Sequence, residues 1–239
     1  IVRRLVGSEM CIRDRYHVGR PGEEGYTDRV LKAWGVDGHN SHTNICSSNA
    51  RIGYQSWMGH DRPSSDFANA KVIFLISSHL ESGHYFNPHA QRIIEAQANG
   101  AKVIACDPRL SNTGAKADYW LPTWPGTEPF LLLSIARLLI ESEEWNADFV
   151  ERWVNWETYL KERAPEKPVE FSQLRAALLE EYAEYTPEAA EQKTGIGADT
   201  IREIAAVIGA NPTKFASHNW RAAGAGNMGG WQVARCLFF

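Results

Sequence analysis

Two short apolar runs constrain the fold of this chain more than any other feature. Lys71-Val-Ile-Phe-Leu-Ile-Ser-Ser78 and Ala101-Lys-Val-Ile-Ala-Cys-Asp107 are unbroken hydrophobic stretches that each end in small polar or acidic residues. A half-exposed strand alternates apolar and polar positions, whereas an unbroken run needs cover on both faces. The segment between them has Pro88 for a first helical turn and Asn99-Gly100 for a stop, so the three pieces read as a βαβ unit with a parallel sheet. That helix is expected to turn Ile93, Ile94 and Ala98 to one side. Tyr119-Trp-Leu121 and Thr213-Lys-Phe-Ala-Ser217 read as further strands. The expected class is α/β.

Pro129 opens a helix, Phe130 to Ile140, that is hydrophobic all round and is therefore expected to be buried. From Glu141 to Lys193 the pattern is helical and charged, with Trp145, Trp153 and Trp156 spaced as anchors on helix faces. Thr186-Pro187-Glu188 has the chemistry of a helix start and Thr194-Gly195 that of a stop. A further helix is expected over about Ala198 to Ile208.

The first fifteen residues are set apart. Glu9-Met-Cys-Ile-Arg-Asp14 reads as the translation of a sequencing-library adapter, GAG ATG TGT ATA AGA GAC, so 1–15 are expected to be foreign to the fold. Removing them moves the formal charge from −4 to −6. An acidic chain without Lys/Arg blocks offers no electrostatic footprint for nucleic acid. No apolar run approaches the roughly 20 residues of a membrane span. The chain has no initiating Met and its last residues continue a helix-like pattern, so an internal portion of a longer protein is expected.

Cys11 falls in the excluded segment, which leaves Cys46, Cys106 and Cys236, an odd and widely spaced set that argues against disulfides. Cys106 lies in a buried-strand pattern and Cys236 on a helix face, so both read as core filler. Cys46 differs because its setting, His42-Thr-Asn-Ile-Cys46-Ser-Ser, is polar.

Open parallel sheets bind ligands beyond the carboxyl ends of their strands. Ser77 to Gly83, Asp107 to Ser111, and Trp124 to Glu128 all fall at such ends and should converge on one crevice. A carboxylate there can accept paired N–H donors of guanine or hold ribose hydroxyls, and small Ser and Gly residues let backbone N–H groups approach phosphate.

In this order and spacing, His42-Thr-Asn-Ile-Cys46, Asp107-Pro-Arg109 and Pro125-Gly-Thr-Glu128 resemble the molybdopterin oxidoreductases of the dimethyl sulfoxide reductase superfamily, over roughly residues 16 to 239. The resemblance implies a molybdenum or tungsten ion held by two molybdopterin guanine dinucleotides, with Cys46 as the metal's protein ligand and catalytic centre. It implies cofactor contacts from Ser77, Ser78, His79, Glu81, Asp107, Arg109, Gly126, Thr127, Glu128, Trp220 and Arg221. It divides the chain into a nucleotide-binding-like α/β domain, 46–210, and parts of a neighbouring α/β lobe, 16–45 and 211–239. A thiolate ligand points to the branch that reduces or oxidises small sulfur, nitrogen or arsenic compounds. Ser47 after Cys46 departs from the His typical of formate dehydrogenases and the Met common in periplasmic nitrate reductases. An iron-sulfur cluster outside this sequence, an electron-transfer partner subunit and a prokaryotic periplasmic location ahead of a cytoplasmic one complete the expectation.

Other readings stay open. A cofactor-less structural homologue in a respiratory complex would keep the fold without the metal. Gly224-Ala-Gly226-Asn-Met-Gly229 matches G-x-G-x-x-G, the mark of an NAD-dependent dehydrogenase, although about seven residues separate it from the expected strand. Six of the eight histidines lie between 39 and 89, and His39-x-x-His42-x-x-x-Cys46 has a loose likeness to a zinc site.

Overall fold

A computed structural model describes residues 22–35, 47–60, 64–80, 87–220, 224 and 229–239. In chain order the described elements are α1 (Gly22–Ala33), α2 (Ser48–Met58), β1 (Val72–Ile76), α3 (Asn87–Ala98), β2 (Lys102–Cys106), α4 (Asn112–Lys116) and β3 (Tyr119–Leu121). They continue with α5 (Glu128–Glu141), α6 (Ala147–Trp153), α7 (Trp156–Arg163), α8 (Phe171–Glu181), α9 (Pro187–Thr194), α10 (Ala198–Gly209), β4 (Phe215–Asn219) and α11 (Trp231–Leu237). The α/β class holds. The adapter-like residues 1–15 lie outside the described residues.

The four strands form one parallel sheet in the order β3-β2-β1-β4. β1 and β2 are adjacent in register from Val72 with Lys102 to Ile76 with Cys106. Every residue of β1 is buried, which is why its sequence does not alternate. One face, carrying Val72, Phe74, Ile76, Ile104 and Cys106, packs on Leu131, Ile135, Ile201, Ile204 and Val233. The other face, with Ile73, Leu75 and Val103, packs on Ile93 and Ala96.

Local chemistry sets several boundaries. Thr186 Oγ1 accepts from the Ala189 N–H at 3.1 Å to start α9, and Gly195 at φ 77° ends it. No residue of α5 from Phe130 to Ile140 is exposed, as its all-round hydrophobicity requires.

Four expectations are corrected. The boundary at 211 does not separate two sheets, because β4 pairs in parallel with β1 and α11 packs against α2, α5 and β4. β4 itself lies two residues later than expected, since Lys214 N–H closes a turn on the Asn211 carbonyl and holds Thr213 and Lys214 out of the strand. In α3 the buried face is Ile93 and Ala96; Ile94 and Ala98, about 100° further round per residue, are exposed. Trp153 is 77% exposed and anchors nothing, whereas Trp145 and Trp156 both pack on Phe171.

Candidate cofactor-binding site

Because all four strands run the same way, their following loops lie along one edge of the sheet. β1 has β2 on one side and β4 on the other, so strand order reverses there, the place where open α/β sheets leave a crevice.

The β1 loop is held tightly. Ser77 has φ 49°, a left-handed conformation uncommon outside glycine, and its N–H donates to the Cys106 carbonyl at 2.9 Å. Ser78 is buried, with Oγ 3.2 Å from the Ile76 carbonyl and 3.3 Å from that of His218. The hydroxyl therefore ties the end of β1 to β4. His79 is half-buried.

Asp107 shapes the β2 loop. Its Oδ1 accepts the Arg109 N–H at 2.9 Å, its carbonyl accepts from Trp120 Nε1 at 2.8 Å, and its N–H donates to Leu121. This Asx turn projects the exposed Arg109 from the edge.

The loop after β3 turns through Gly126 at φ 91°, and Thr127 returns both its N–H and its hydroxyl to the Trp124 carbonyl. Glu128 sits beneath this turn, 3% exposed, with Oε2 accepting the Gly126 N–H at 2.8 Å. Burial raises its carboxyl above the usual range, backbone N–H donors partly offset this, and the nearby Asp107 charge adds to the rise. The β2 and β3 loops thus approach each other, with one carboxylate facing outward and one locked inside.

Elements distant in sequence close the other side. Ser47, the residue after Cys46, is 5% exposed at the start of α2. Asn49 Nδ2 donates to the Gly224 carbonyl at 2.8 Å, and the Tyr54 hydroxyl lies 3.3 Å from the Asn219 carbonyl. Trp220 is 6% exposed and stacks on His218 with ring centroids 5.7 Å apart. Cys46, Glu81 and Arg221 lie outside the described residues, as do His39 and His42 of the zinc reading. Among the described residues no group of three or more His, Cys, Asp or Glu side chains could hold a metal ion. No described helix is long and apolar enough to cross a membrane.

The glycine loop has a local explanation. Of the motif glycines that are described, Gly229 has φ 74°, a left-handed turn that favours glycine, and a Cβ at Gly224 would meet only ordinary contacts of 3.4 Å or more. A turn accounts for Gly229 without a dinucleotide.

One polar residue was missed in the sequence. Asn219 ends β4 with no exposed surface, and neither its Oδ1 nor its Nδ2 has a hydrogen-bond partner. The signal was a polar side chain at a strand's carboxyl end, obscured by placing that end at Ser217. The Asp107 carboxylate and the exposed Arg109 beside it fit a polar, phosphate-bearing cofactor better than a bare metal ion.

No protein-family profile matches the chain. A nitrate reductase of Symbiobacterium thermophilum is 30% identical over 183 residues, which cover 75% of this chain and 23% of that protein. The thiosulfate reductase molybdopterin-containing subunit PhsA of Salmonella typhimurium is 30% identical over 182 residues, 74% of this chain and 21% of the relative. The chain thus spans about a fifth of the length of the curated relatives it matches. Among solved structures, acetylene hydratase from Pelobacter acetylenicus superposes with a TM-score of 0.67 at 24% identity, covering 90% of this chain and 27% of that one. With these relatives at 30% identity over about three quarters of its length, the chain belongs to the molybdopterin-containing oxidoreductases of the dimethyl sulfoxide reductase superfamily.

Proposed function

We propose that this chain is part of the catalytic subunit of a molybdenum enzyme that carries out two-electron redox or oxygen- or sulfur-atom transfer on a small sulfur, nitrogen or arsenic compound. The observation that carries the reading is the meeting of α2, which begins two residues after Cys46, with Gly224 and the end of β4. That contact brings the helix that follows the thiol against the carboxyl end of a strand of the sheet.

The bound cofactor, read as molybdopterin guanine dinucleotide, would supply a metal that cycles by two electrons. The chain's own part is to hold and orient it. Arg109 offers a cation at the rim that suits phosphate, Asp107 suits paired N–H or hydroxyl donors, and Cys46 offers a soft anionic ligand. The same reading includes an iron-sulfur cluster and an electron-transfer subunit supplied from outside this sequence, with the enzyme in the periplasm.

Cys46→Ala in the cofactor-loaded enzyme tests it. Turnover is expected to vanish and X-ray absorption to lose the metal–sulfur distance assigned to cysteine. Near-normal activity with an unchanged metal shell defeats the assignment.

A further inference from the structure

α5 is apolar all round, so it needs apolar cover on every side. It packs on α8, α9, α10 and α11, yet Leu133, Ala136 and Leu139, spaced three apart, are each only half-buried. They form part of the floor of a groove of about 1410 Å3 whose walls include Tyr185, Trp231 and Phe239. Ring contacts hold those walls in place, Phe130 on Tyr185 with centroids 4.7 Å apart and Tyr182 on Phe239 at 5.0 Å.

Size and chemistry narrow what can fill it. The groove exceeds the roughly 300–1,000 Å3 of a typical small-molecule pocket, and soluble proteins seldom leave so large an apolar surface in water. A second copy brings the same concave patch, and two hollows related by a twofold axis leave their floors unfilled. An extended segment fits poorly as well, because α5, α8 and α11 bond their backbone groups within themselves and offer it no ladder. A helix satisfies its own backbone and can lay an apolar stripe along the floor. The matching stretches cover 23% of the nitrate reductase and 21% of the thiosulfate reductase subunit, so most of such a subunit lies outside this chain and can supply that helix.

We propose that the groove on α5 receives an amphipathic helix from the part of the same catalytic subunit that lies outside this chain, with apolar residues at i, i+3, i+4 and i+7 laid against Leu133, Ala136 and Leu139. Such a helix completes the cover of α5 whatever cofactor and substrate the enzyme takes.

The test puts photo-leucine, the diazirine analogue of leucine and close to it in size, in place of Leu133 or Leu139 in the full-length subunit. After irradiation, denaturing electrophoresis gives the mass and peptide mapping gives the joined segments. The expected product keeps the mass of one subunit and joins either position to the same segment outside these 239 residues, at residues three and four apart. In parallel, Ala136→Asp should lower the thermal midpoint of the full-length subunit, because it buries a carboxylate under the helix, while Ala183→Asp on the exposed surface should leave it unchanged.

A product of twice the subunit mass overturns the proposal in favour of a second copy, and a crosslink to a different polypeptide overturns it in favour of a partner subunit. Reaction with water alone, or only with residues 1–239, shows the groove uncovered and overturns it too. Equal midpoints for the two Asp variants have the same meaning, since a groove open to water accommodates a carboxylate.

Discussion

Asn49 and Gly224 stand 175 positions apart and are joined by one hydrogen bond, Nδ2 to carbonyl, at 2.8 Å. It fastens the first turn of α2 to the glycine loop that follows β4. Asn49→Ala removes a part-buried bond and should lower unfolding free energy by about 1 kcal/mol, read as a shifted urea midpoint with unchanged slope.

Gly53 permits the closest helix approach described. A Cβ there would collide with the Trp231 carbonyl and stand 2.7 Å from the Ala234 methyl and 3.0 Å from the Arg235 nitrogen. These are α11 atoms, two of them backbone, so the helices must separate to admit a methyl group. Gly53→Ala is expected to cost about 2–3 kcal/mol, whereas Gly25→Ala on α1, with nothing within 4 Å of its added Cβ, should change little. Parallel denaturation of the two variants checks the contrast.

Glu128 predicts a pH dependence with a definite sign. Burial raises its folded-state carboxyl above the ordinary value of 4.5, so the folded protein binds that proton more tightly than the unfolded chain does. Its contribution therefore weakens stability as pH climbs from the ordinary value through the raised one, and the full cost stands above both. Glu128→Gln keeps an oxygen for the Gly126 N–H and removes the buried charge. It should stabilise the protein at pH 7 by an amount that shrinks to nothing below about pH 4. Thermal midpoints of both proteins across that range decide it, and an equal offset at all pH values would contradict the burial argument.

The two described thiols should be chemically quiet. Burial pushes Cys106 up to about 12, with Thr123 Oγ1 at 3.3 Å, and pushes Cys236 up to about 11. Thiolate is the reactive form. Iodoacetamide at pH 8 should therefore leave both unmodified in the native protein and label both in urea, as peptide mass mapping would show.

The sheet was legible where burial on both faces forces an unbroken apolar sequence. Val72 to Ile76 and Lys102 to Cys106 are such cases. β4 was read less well, since Phe215-Ala-Ser-His-Asn219 is a half-buried strand with three polar residues among its five. The loops bearing Ser77, Asp107 and Gly126 could be read because each follows a strand end. Glu128 could not be read as an internal support, because its inward turn depends on the Gly126 backbone and on burial beneath the loop. Asn219 and the Asn49–Gly224 bond were illegible for a related reason. Each arises from pairing across well over a hundred residues, which no local pattern records.

That long pairing also orders events in time. β1 meets β2 after one short helix, but its other neighbour, β4, is made about 140 residues later. At ribosomal rates this is a delay of roughly 7–30 s. During that interval β1 has an unpaired edge, and Asn219, Trp220 and Gly224 have yet to emerge. A half-built sheet can form the Ser77 and Asp107 turns but lacks the part of the carboxyl edge that β4 supplies. Ligand capture belongs to a late stage of this chain's birth, and a host that supplies cofactor only to finished protein loses nothing by waiting.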